Sequence, residues 1–271
     1  MKNDMKKIKQ IIRKVYWKTV SLIGQISIIR IEKKDNRSTN IFVNKNGSVD
    51  VSFEEKAIKN LTQHLRDDDT FYDIGANFGR YSCLVGEVRP GVRILAFEPN
   101  PEAASLLREN LRWNRVNTDV DVFEYALSNR EGKTSLDIQE GAERARIQAE
   151  SRATSDSIEV QMITLDDLLE QESLPPPSVI KIDVEGAELK VIEGMDTTLK
   201  DDHLRLLYCE VHPYLMQKMG DEEESIFAKL NQAGFEVEVI DQRVVQYADG
   251  EEEVQKFVRA RRKTDGPSKL S

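Results

Sequence analysis

Long apolar runs are missing from this sequence: no stretch approaches the roughly 20 consecutive apolar residues of a membrane-spanning helix. The N-terminal segment MKNDMKKIKQIIRKVYWK breaks its apolar residues with charges and lacks the continuous apolar core and small-residue cleavage site of a secretion signal. Cysteine is scarce as well. Cys83 and Cys209 both lie inside apolar runs that read as core helix and core strand, which argues against a disulfide framework or a thiolate metal site. A reducing, cytoplasmic setting is therefore expected. A surplus of positive charge is also absent: the formal net charge is −9, and a polyanion needs a concentrated basic surface, so nucleic acid is not an expected partner.

One local basic patch stands against that average, with Lys2, Lys6, Lys7, Lys9, Arg13, Lys14 and Lys18 near the single acid Asp4. Ile8, Ile11, Ile12, Val15, Val20 and Ile23 recur between these charges at helical spacing, predicting a basic amphipathic helix over the first two dozen residues. Its apolar stripe can rest on an anionic membrane surface as a peripheral contact, or pack on the domain or on a second subunit. The oligomeric state is open.

What is present suits one α/β domain with a short appended segment at each end: 271 residues, 39% apolar and 32% charged. The expected divisions are a helix-and-hairpin extension over 1–53, the main domain over 54–250 and a charged, loose tail over 251–271. In NIFVNKNGSVDVSF, two alternating runs flank Lys45-Asn46-Gly47, a hairpin signal, and 54–66 read as a helix. From Thr70 onward, strand candidates TFYDIG, VRILAFE, DVDVFEYAL, SVIKIDV, LRLLYCEV and FEVEVI alternate with helical patterns. That alternation predicts a mostly parallel sheet with helices on both faces. The polar stretch 139–157 reads as a long loop, either a lid or substrate-binding segment or a disordered one.

The first chemical signal is Asp73-Ile74-Gly75-Ala76-Asn77-Phe78-Gly79, which ends a strand and opens a helix. Gly75 permits a tight turn and Gly79 close helix packing, although a purely structural connection can use the same residues. Glu98 ends the next strand, roughly 20 residues past the glycines, where an acid accepts hydrogen bonds from ribose hydroxyls. Asp73 sits badly with the pyrophosphate of a dinucleotide and well with a cation, so the pair predicts S-adenosylmethionine, Asp73 facing its positively charged methionine end. A helix-capping role for Asp73 is the alternative.

A second constellation is VIKIDVEGAE, where Asp183, Glu185 and Glu188 gather around Gly186 at a strand's carboxyl end. Glu210 and His212 end the next strand and share one face of it. These residues are candidate general bases for a hydroxyl acceptor, and their donors could also hold a divalent metal that lowers the acceptor's pKa. The plainer alternatives are a surface charge at Glu188, a local hydrogen bond at His212 and purely structural roles for Asp183 and Glu185.

The ordered strings FYDIGANFGRYS, ILAFEPNPEAASLLREN, EYALSNREGKTSL, ITLDDLL, VIKIDVEGAELKVIEGM and LYCEVHP resemble FkbM-type methyltransferases over roughly residues 70–213. The resemblance implies the Rossmann-like methyltransferase fold with a seven-stranded sheet, S-adenosylmethionine as cofactor, and a hydroxyl of a sugar, glycan or natural product as acceptor. It further implies cofactor contacts from Asp73, Gly75, Asn77, Glu98, Ala126 and Leu127, with Asp183 near the transferred methyl. Residues 1–69, 139–157 and the tail lie outside it. The rival readings are a nicotinamide-dependent oxidoreductase, a non-catalytic protein keeping the fold, and a nucleic-acid methyltransferase.

Overall fold

The computed structural model describes residues 26–32, 38–44, 55–116, 119–137, 146–147, 157–247 and 250–263. The expected N-terminal amphipathic helix, the Lys45-Asn46-Gly47 turn and most of 139–157 lie outside the described residues. Upstream of the main sheet, β1 (Ile26–Glu32) and β2 (Ser38–Asn44) pair antiparallel. These two strands lie upstream of the expected hairpin turn, and β2 contains its first run, Asn40–Asn44.

Helix α1 (Glu55–His64) precedes β3 (Thr70–Ile74), which runs through DIGANFG into α2 (Arg80–Val88), β4 (Arg93–Phe97), α3 (Pro101–Trp113) and β5 (Val120–Phe123). Helix α3 begins where the sequence supplies both N-terminal signals: the Asn100 side chain accepts from the Glu102 N–H, and Pro101 occupies the first turn. The chain then makes β6 (Ala126–Leu127), β7 (Gly132–Asp137), β8 (Arg146–Ile147), β9 (Ser157–Ile163) and α4 (Leu165–Gln171). It continues through β10 (Val179–Ile182), α5 (Glu188–Glu193), β11 (Leu206–Val211), α6 (Pro213–Lys218), α7 (Glu223–Gln232), β12 (Phe235–Gln246) and β13 (Glu252–Arg262).

The main sheet has seven strands in the order β12-β13-β11-β10-β3-β4-β5. Strands β11, β10, β3, β4 and β5 pair in parallel, while β13 runs antiparallel to both β11 and β12. Both faces are covered, as continuous apolar strands require. Phe71, Ile94, Val179 and Tyr208 pack with α1, α2 and α3 on one face; Tyr72, Leu95, Ile180 and Cys209 pack with α4, α5 and α7 on the other. Burial of these alternating sets is the main favourable term that holds the layers together.

Three expectations need correction. DVDVFEYAL is not one strand, because Glu124 and Tyr125 separate β5 from β6 and the two enter different sheets. The polar insertion contributes to a second sheet, ordered β6-β9-β7-β8, that stands beside the carboxyl ends of the main strands. The sheet also does not stop at residue 250: β13 is an interior strand between β11 and β12, so 252–262 are not a tail. Its buried positions include the polar Glu253 and Gln255 while Val254 is exposed, which inverts the usual strand pattern and hides it.

Candidate active site

The carboxyl ends of β3, β4 and β10 converge on one pocket, where open α/β sheets place their ligands. Ile74, Gly75, Asn77, Phe97, Glu98, Ala126, Leu127, Leu136, Asp183 and Glu185 contribute to its lining. Gly75 adopts φ +70°, and a Cβ there would stand 1.8 Å from the Asp183 carbonyl oxygen, so the turn after β3 can lie against the turn after β10 only as glycine. Gly79 does not line the pocket. It starts α2 against Leu107 of α3, whose Cγ would be 2.8 Å from an added Cβ.

Glu98 faces the pocket from the end of β4 and is 6% exposed. Its two oxygens accept the backbone N–H groups of Asn77 (2.8 Å) and Asn100 (2.9 Å), and each oxygen keeps acceptor capacity for a ligand. Burial pushes its pKa up to about 7, although those N–H groups and Lys181 favour the carboxylate. The same turn spends its other leading donors internally: the N–H groups of Gly75 and Ala76 both go to the Phe97 carbonyl at 3.0 Å.

Asp73 does not face the pocket. It is fully buried beneath the turn, where Ser82 Oγ donates to it at 2.7 Å and Lys181 Nζ lies 3.6 Å away. The reason is register: Lys181 of β10 pairs directly with Asp73 of β3 on the same sheet face. Lys181, itself 2% exposed, also reaches Asp183 at 3.1 Å and the Gly75 carbonyl at 3.1 Å. The expected contact of Asp73 with a bound cation is thus replaced by a buried link that fixes both turns. Asp73 also accepts from the Ser82 backbone N–H in the first turn of α2, so it helps to tie down that helix end while Gly79 occupies the capping position.

The rim at β10 and β11 is drawn around His212, which is 1% exposed. Its Nδ1 lies 2.8 Å from Glu188 Oε1, and its Nε2 lies 3.7 Å from Glu210, 3.9 Å from Glu185 and 4.0 Å from Asp183. Burial alone would depress the imidazole pKa, but Glu188, Glu185 and Glu210 outweigh it and hold the pKa well above 6.5. Neither His212 nor Glu210 lines the pocket, which counts against both as the direct base. Glu188 is fully buried and not a surface charge; it binds His212 and the Gly186 N–H. Asp183 and Glu185 do face the pocket. Burial would raise the Asp183 pKa, yet Lys181 and His212 prevail and bring it below its ordinary value.

The sequence profile of the FkbM methyltransferase domain matches residues 73–237, more than half of the chain. The chain belongs to the FkbM methyltransferase family. Its relatives include the hexuronic acid methyltransferase AglP of Haloferax volcanii, 31% identical over 60% of this chain and 64% of that protein. The 2-O-methyltransferase NoeI of Sinorhizobium fredii is 30% identical, over 53% of this chain and 63% of its own length. The 31-O-demethyl-FK506 methyltransferase FkbM of Streptomyces tacrolimicus is 26% identical over 55% and 67%. The matched part therefore spans about two thirds of each of these relatives.

Within this FkbM-family site, sequence reasoning overlooked Lys181 and Ser82. A lone lysine in the apolar strand VIKI is itself a signal, because a buried ammonium needs carboxylate partners. Arg243 of β12, 3.2 Å from Glu210, was equally invisible, since β12 comes beside β11 only through the intervening β13.

Proposed function

We propose that the chain transfers the methyl group of S-adenosylmethionine to a hydroxyl oxygen of a sugar, a glycan or a small natural product. The observation that carries this reading is the composition of the pocket: Glu98 on one side, Asp183 and Glu185 on the other, and no unspent N–H at the start of the β3–α2 turn. A dinucleotide pyrophosphate needs such donors. With Gly75, Ala76 and Asn77 all engaged, the nicotinamide alternative is disfavoured for this reason and not through charge repulsion by Asp73.

The residues fit the cofactor. Glu98 has acceptor capacity for ribose hydroxyls, Gly75 leaves the backbone bare, and Phe97, Leu127 and Leu136 offer apolar walls for a purine. When bound, S-adenosylmethionine would supply an electrophilic methyl on a sulfonium, the C–S bond breaking as the acceptor oxygen bonds the methyl and the sulfur leaving as the neutral thioether S-adenosylhomocysteine. Asp183 and Glu185 supply negative charge beside that position, and one of them takes the acceptor proton. Lys181 and His212 hold Asp183 ionised and in place. Positioning provides most of the rate, because the donor is already reactive.

The printed activities of relatives support the acceptor class: a hexuronic acid for AglP and a 2-O position for NoeI. The test is transfer of labelled methyl from S-adenosylmethionine to a panel of hexuronic acids, neutral sugars and host glycan extracts. A labelled hydroxyl product is expected, and Asp183→Asn should lower turnover about 100-fold or more while changing cofactor affinity only a few fold. Full turnover in Asp183→Asn removes the assigned role. A panel without any labelled product contradicts the reading.

A further inference from the structure

From the geometry behind the pocket we propose that Asp183, Glu185 and His212 form a site for one divalent cation of the Mn²⁺ and Mg²⁺ class. One ligand atom from each residue lies within 4.8 Å of the others. The imidazole supplies the independent observation. His212 is 1% exposed, its Nδ1 is committed to Glu188 at 2.8 Å, and its Nε2 has no hydrogen-bond partner among the described residues. Glu188 thereby fixes the ring and leaves Nε2 aimed at the carboxylates, the arrangement in which a carboxylate orients a metal-binding histidine through its other nitrogen.

The distances favour a shared centre over direct pairing. Nε2 stands 3.9 Å from Glu185 and 4.0 Å from Asp183, too far for hydrogen bonds, and an ion held at about 2.1 Å from each would draw these ligand atoms several tenths of an ångström closer together. Asp183 divides its oxygens: Oδ2 takes Lys181 at 3.1 Å, and Oδ1 faces His212. Glu210 is engaged by Arg243 at 3.2 Å and stays outside the ligand set. Two carboxylates with one imidazole and no thiolate select a hard to borderline ion, with water or an acceptor oxygen completing its shell. Both carboxylates open onto the pocket, so a cation there would lower the pKa of a bound hydroxyl. Its use in catalysis rests on the methyl-transfer reading; its existence does not.

The experiment is titration of chelator-treated protein with MnCl₂, following free Mn²⁺ by electron paramagnetic resonance. One ion per chain is expected. His212→Ala should weaken binding at least about 100-fold, and Glu188→Gln, which removes only the orienting carboxylate, about 10- to 100-fold. Glu185→Gln, close to isosteric, is the control should His212→Ala fail to fold, and it should also lose the ion. Absence of stoichiometric binding up to millimolar Mn²⁺, or unchanged binding in folded Glu185→Gln, overturns the site. S-adenosylmethionine affinity measured on the same metal-free protein separates the two readings: cofactor binding without Mn²⁺ uptake rejects the ion alone, and Mn²⁺ uptake without cofactor binding rejects the cofactor alone.

Discussion

Glu98 governs the pH behaviour at the level of single residues. Its pKa lies near 7 because burial disfavours the charged form, so at pH 6 most of the population carries a proton there. The ionised form is the better acceptor for two ribose hydroxyls. Cofactor affinity should therefore rise as pH climbs toward 7 and level off above it, with losses of up to about tenfold per pH unit on the acid side. Glu98→Gln should flatten that profile, which calorimetry between pH 5.5 and 8.5 would reveal; a profile with the same slope in the variant contradicts the assignment. Lys181 governs stability instead. It is the buried cation between Asp73 and Asp183, so Lys181→Met leaves two carboxylates without their partner and should cost about 3–5 kcal/mol in chemical denaturation. A loss under about 1 kcal/mol would mean that the link is not the anchor of the two turns.

At the level of elements, β13 carries the clearest test. An interior strand supplies hydrogen bonds to both neighbours, and its removal would expose β11 and orphan β12. A chain ending at residue 250 should fail to yield folded protein, as judged by circular dichroism and size-exclusion chromatography; a cooperative, monodisperse fragment would contradict the topology. Elements whose signals are local were readable in the sequence. The strand-helix alternation from Thr70, the DIGANFG turn, the acid after VRILAF and the turn after VIKID all stand where the pattern implied. Elements defined by distant partners were not. β13 buries Glu253 and Gln255 against Tyr214, Tyr247 and Arg243, groups that no local window connects. Asp73 was misjudged for the same reason, since its orientation follows from a cross-strand lysine more than 100 residues away.

For the whole molecule, the organisation follows from two unequal jobs. The sheet and its two helical layers form a rigid apolar support, and the polar groups of the site are held at its carboxyl edge by buried charge pairs that would be costly anywhere else. Around the pocket, acids outnumber bases: Glu98, Asp183, Glu185, Glu188 and Glu210 stand against Lys181, His212 and Arg243. Such a field favours a cationic ligand over a phosphate. Among the described residues no helix is long and apolar enough to cross a membrane. The most direct measurement of the central claim is isothermal titration of the protein with S-adenosylmethionine at pH 8, alongside NAD and the Glu98→Gln variant. One saturable site for S-adenosylmethionine is predicted, weakened about tenfold or more by Glu98→Gln, with no heat from NAD. Absence of S-adenosylmethionine binding up to millimolar ligand, or equal affinity in wild type and variant, would contradict the account.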